Sequence, residues 1–125
     1  MFAKYGPVVV GLPLLVLGVL WVFAPATAAA NLSSELLTGA ALTTQIGDSA
    51  AFFLGTGILL IMGGVKRDAT MILIGGVLVG LVAPARIIAA VVHGGDMTIA
   101  PIVIEIVTLT VAYLAAQQIK KETGA

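Results

Sequence analysis

The chain has 125 residues, 60% of them hydrophobic and 10% charged, with a formal net charge of zero. A soluble domain averages about 25% charged residues, and so small a globule could not hide this apolar surplus from water, so lipid is the solvent that suits it. Zero net charge leaves no basic face for nucleic acid, the lack of cysteine removes disulfides and thiolate chemistry, and the single histidine, His93, implies no metal or cofactor site.

A helix needs about 20 apolar residues to cross a hydrocarbon core of about 30 Å. Four stretches meet this, at 6–23, 47–65, 70–92 and 98–119. Their length predicts helices, because backbone groups in lipid must pair internally. The expected fold is an all-α integral membrane four-helix bundle, one domain over 1–125.

The first span follows Lys4. Lys4, the apolar run and Ala28-Ala29-Ala30 together share features of a cleaved signal peptide. The run is longer than the usual apolar region of such a peptide, so it is read as a span. Residues 31–45 are mixed in character. Ser33 or Ser34 can cap a surface-lying amphipathic helix over 33–44, with Leu36, Leu37, Ala40 and Ala41 on one side. An irregular loop is the alternative. The second span reaches full length if residues 47–49 are its first turn.

Asp48, Asp68 and Asp96 each precede an apolar run. Aspartate is a strong N-cap, and its charge suits the positive end of the helix dipole. Pro13, Pro84 and Pro101 each remove a backbone donor; Pro84 is mid-span and predicts a kink just before Arg86. Close helix contact in lipid relies on small residues. Gly55 and Gly57 thin the second span, Gly76 and Gly80 the third, and Ala112, Ala115 and Ala116 the fourth.

Basic residues mark alternate boundaries: Lys4, then Lys66 and Arg67, then Lys120 and Lys121. The positive-inside rule therefore puts both termini and the Lys66–Asp68 turn in the cytoplasm.

Arg86 and Glu105 are the two charges well inside spans. Such residues are costly in lipid and usually have a partner or a task. Arg86 is six residues before Val92, and Glu105 is seven after Thr98. At about 1.5 Å per residue both lie roughly 9–11 Å below the outer boundary. Antiparallel neighbours joined by a short turn would pair them. His93 projects from nearly the same face as Arg86, Asp48 opens the second span, and Thr108 is one turn below Glu105. Together they would draw a polar path from the outer surface to the pair.

The run "GDSAAFFLGTGILLIMGG" from Gly47 to Gly64 precedes Lys66-Arg67, and "APARIIAAVVHGG" and "IAPIVIEIVT" follow. This order resembles a family of small bacterial four-helix membrane proteins of unknown function, distantly similar to the DoxX-like group. The resemblance runs from the second span to the end and rests on Arg86, the His93-Gly94-Gly95 turn and Glu105. The family pattern has a serine and an aspartate–glycine turn after the arginine; Ala89 and His93-Gly94 stand near those places here. The resemblance implies a bacterial inner-membrane location and no reaction.

Two functions stand first. One is a structural or accessory subunit, working as a homo-oligomer or in a larger membrane complex, with an ion pair that fixes helix register. The other is a binding or transport protein for a small anionic or amphiphilic molecule, held by Arg86 and tuned by Glu105. No catalytic residues are evident. An enzyme would have to draw on Ser49 and His93, which share only the outer face.

Overall fold

Long apolar runs leave the backbone no hydrogen-bonding partner but itself, and the chain answers with helices. The computed structural model describes residues 1–124, which hold six helices and no strand. These are α1 (Phe2–Phe23), α2 (Pro25–Asn31), α3 (Gly39–Lys66), α4 (Ala69–Gly80), α5 (Val82–His93) and α6 (Ile99–Thr123). α4 and α5 are two halves of one rod, so four helical stretches are long and apolar enough to cross a membrane.

The connection after α1 differs from the expected surface helix over 33–44. α1 stops at Ala24 because Pro25 opens α2 at its first turn, where a missing N–H costs nothing. Ser33 then takes a left-handed conformation, and the Ser34 N–H donates back to the Ala29 carbonyl at 2.8 Å, closing α2. Residues 34–38 are not helical. The Gln45 side chain holds this loop: its Oε1 accepts from the Leu37 N–H at 2.9 Å, and its Nε2 donates to the Glu35 carbonyl at 2.9 Å. Residues 39–46 are the opening turns of α3, whose 28 residues reach about 42 Å.

The cap assignments divide. Asp68 caps α4, its carboxylate accepting from the Met71 N–H at 3.1 Å. Asp48 caps nothing, because it lies inside the lengthened α3. Asp96 falls two residues short, and Thr98 holds the cap position of α6 without a side-chain capping bond.

The third stretch breaks at Leu81, between α4 and α5. Pro84 cannot donate to the Gly80 carbonyl one turn back, and its ring crowds that turn. The kink expected before Arg86 therefore falls three residues before the proline.

Small residues set the packing. α1 packs most extensively on α3, α4 on α6, α3 on α4 and α1 on α6, which closes a ring. Gly18 of α1 lies against Leu54, and Gly57 of α3 lies against the Leu15 backbone. Gly76 meets Ala112, and Gly80 meets Leu109. Gly55, grouped with Gly57 from sequence, faces open space instead. Two apolar clusters result: one around Ala3, Leu60, Ile72, Ala112, Ala115 and Ile119, the other around Trp21, Ala28, Ala29 and Ala50. The triple alanine is thus partly core, with Ala28 and Ala29 buried beside Trp21.

The ring gathers the basic residues at one end. Gly64 touches the Lys4 carbonyl, and Arg67 is ion-paired with Glu122 beyond Lys120 and Lys121. α5 stands apart from this order: it packs on α6 and α4 but makes no comparable contact with α1 or α3.

Candidate functional site

The break at Leu81 leaves room. Because α5 leans on α6, the half of the bundle away from the termini holds a cavity of about 460 Å³. Its walls come from α1 (Val9, Pro13, Leu14 and Leu17), α3 (Phe52 and Phe53), the α4–α5 break (Val79 and Val82) and α6. Asn31 and Leu32, at the end of α2, line its upper rim. Ligand pockets typically measure about 300–1,000 Å³ and are largely apolar with a few placed polar groups; this cavity fits that description. It opens sideways between α1 and α6, where Val9, Val103, Ile104 and Val107 both line it and stay exposed.

The polar groups converge on one wall. Arg86 and Glu105 both line the cavity, and Arg86 Nε donates to Glu105 Oε2 at 2.8 Å. The equal depths read from the sequence do bring the two side chains together. Arg86 Nη1 also donates to Thr98 Oγ1 at 3.2 Å. Thr98 was not singled out from sequence. Its position as the first residue of the last apolar run, across a short turn from α5, was the available signal.

Glu105 is 8% exposed, and its second oxygen, Oε1, is buried without a hydrogen-bond partner. Such an orphan acceptor costs about 1–3 kcal/mol, more when charged, so it demands an occupant or a reason. Trp21 Nε1 is also buried and unpartnered, but Trp21 does not line the cavity.

The remaining candidates separate. Thr108 is buried on the cavity wall, and its hydroxyl donates to the Ile104 carbonyl at 2.9 Å. That bond satisfies the donor locally and leaves the oxygen able to accept. His93 ends α5 exposed, outside the cavity lining. Asp48 is exposed on α3 and does not line the cavity either. The polar path expected from Asp48 and His93 is therefore absent: the spot is Arg86, Glu105, Thr98 and Thr108. Among the described residues, no group of three or more His, Asp or Glu side chains could hold a metal ion.

Chemically, the wall offers a neutral ion pair with unspent capacity on both sides. Glu105 Oε1 can accept, and Arg86 retains N–H groups beyond Nε and the bond from Nη1. No activated nucleophile accompanies them. Scans against family models, curated proteins and solved structures found no match to this chain.

Proposed function

We propose that this chain is a multi-pass membrane protein that binds a small amphiphile in the cavity beside Arg86 and Glu105. The carrying observation is the cavity itself: a mostly apolar space with one charged wall, open sideways where a lipid tail would enter. A molecule with an apolar tail and a compact polar head matches both parts. The grouping of Lys4, Lys66, Arg67, Lys120 and Lys121 at one end supports an orientation with both termini cytoplasmic. The resemblance to small four-helix proteins supports a bacterial inner membrane. In that orientation the cavity lies in the outer half of the bilayer.

Filling the cavity tests this reading. Val82 lines it and is half-buried. Val82→Trp should lower retention of a fluorescent single-chain amphiphile by about tenfold or more, as expected when a ligand loses its pocket. Helix content and thermal midpoint in nanodiscs serve as the folding check. Unchanged retention by a well-folded Val82→Trp protein would reject the cavity as the site.

A second reading keeps the accessory-subunit role. Gly47, Ala51 and Gly55 recur every fourth residue on α3; Ala51 is exposed, and a Cβ on either glycine would meet nothing within 4 Å. Small residues at this spacing let membrane helices approach closely, which favours assembly with another copy or a larger complex. On this reading the Arg86–Glu105 pair is architectural. The double variant described in the Discussion separates the two.

A further inference from the structure

Resting on the binding role proposed above, we infer that the cavity selects an uncharged hydroxyl-bearing amphiphile, such as a long-chain alcohol or a monoacylglycerol, over an anionic or cationic one. The hydrogen bonds already spent set this preference. Glu105 Oε2 is taken by Arg86 Nε, and Arg86 Nη1 is taken by Thr98. What remains beside the cavity is the Glu105 carboxylate, whose Oε1 is buried with no partner, next to unspent guanidinium N–H groups.

A hydroxyl complements both. It carries one donor and two acceptor sites. With a small turn of the Glu105 carboxyl toward the cavity, the hydroxyl's O–H can donate to Oε1, which is otherwise packed out of reach, while its oxygen accepts from Arg86. A hydrogen bond to an ionised partner is shorter and stronger than one between neutral groups. A carboxylate head would also accept from Arg86, but it would face the Glu105 carboxylate. An ammonium head would donate to Glu105 Oε1, but it would face the Arg86 guanidinium. In either case a third charge enters an apolar space where the existing pair already cancels, and burying an uncompensated charge is expensive. An ether or ester head carries no donor, so Glu105 Oε1 stays orphaned.

The backbone adds a second acceptor nearby. Pro13 lies inside α1 and cannot donate to the Val9 carbonyl one turn back. Val9 and Pro13 both line the cavity. A head group able to donate can serve that carbonyl as well. Apart from Asn31 and Thr108, the rest of the lining, including Leu14, Leu17, Phe52 and Val107, is hydrocarbon suited to a tail.

The test uses the full chain in phosphatidylcholine nanodiscs, with tritiated dodecanol as the reporter. Unlabelled dodecanol, monododecanoylglycerol, dodecyl methyl ether, dodecanoate and dodecylammonium compete at equal membrane concentration. Dodecanol or monododecanoylglycerol should displace the reporter at about tenfold lower concentration than the ether or either ion, the loss expected for one charge-assisted hydrogen bond. The order of those two identifies the natural source, a free alcohol or a glyceride headgroup, and both orders support hydroxyl recognition. Glu105→Gln leaves the Arg86 charge uncompensated, so in that variant dodecanoate should overtake dodecanol. The wild-type ranking decides the matter even if the variant fails to fold. Tightest binding by dodecanoate or dodecylammonium overturns the hydroxyl assignment while leaving amphiphile binding intact. Equal binding by the ether overturns it in the same way. No dodecanol retained above empty nanodiscs overturns both.

Discussion

Arg86→Ala and Glu105→Ala should each destabilise the protein by about 3–5 kcal/mol, while a double variant carrying Arg86→Met and Glu105→Met should fold within about 1 kcal/mol of the parent or better. The asymmetry follows from desolvation. Arg86 and Glu105 hydrogen-bond at 2.8 Å, with Glu105 at 8% exposure. Removing one partner leaves the other charge in an apolar setting with nothing to offset it. Removing both deletes the charges and their desolvation cost together, and methionine fills irregular space well. Unfolding in mixed micelles, followed by circular dichroism, reads the stabilities. Additive losses in the double variant would mean that the two side chains do not act as a pair. The same variant separates the two functional readings. If it folds and no longer retains the amphiphile, the pair serves the ligand. If it folds and retains the amphiphile unchanged, the pair is architectural.

Gly57→Ala and Gly55→Ala should change stability in opposite directions, although the residues are two apart in one helix. A Cβ on Gly57 would lie 2.7 Å from the Leu15 backbone nitrogen and 3.0 Å from the Leu15 Cα. Backbone cannot turn aside as a side chain can, so α1 and α3 must part. Overpacking of this kind costs about 1–3 kcal/mol. Alanine also gains about 0.8–1.0 kcal/mol over glycine in a helix interior. At Gly57 the clash outweighs that gain. A Cβ on Gly55 meets nothing within 4 Å, so only the gain remains there. The difference between the two unfolding midpoints measures how closely α1 and α3 approach. Stabilisation by Gly57→Ala would show that α1 and α3 do not meet this closely at Leu15.

The spans and the ion pair were legible in the sequence because both rest on local quantities. Apolar run length sets a membrane-length helix, and counting residues from a shared turn fixes the relative depth of Arg86 and Glu105. What was missed depends on contacts between distant residues. The true start of α3 was hidden because Thr43, Thr44 and Gln45 end the apolar pattern, while the loop before it is held by Gln45 reaching back to Glu35 and Leu37. The short α2 was hidden because its alanines share the features of a signal-peptide cleavage site, and their packing on Trp21 is a contact between elements. Gly55 and Gly57 look alike along the chain; which of them meets α1 depends on how α3 is turned. Asp48 was placed by depth alone, which does not say which way a helix face points, and His93 shares a face with Arg86 but ends α5 beyond the cavity. The cavity had no sequence signal beyond Pro84, because its existence depends on α5 leaning toward α6 and away from α1 and α3.

The proposed amphiphile would occupy the space beside the Arg86–Glu105 pair. Photolabelling in nanodiscs with a dodecanol carrying a diazirine on its tail tests it most directly, with the modified residues mapped by mass spectrometry. Labels should concentrate on cavity residues such as Val9, Leu14, Phe53 and Val107, and an excess of unlabelled dodecanol should remove them. Labels spread evenly over exposed apolar residues outside the cavity, such as Ile58, Val65 and Ile74, and insensitive to competitor, would contradict it.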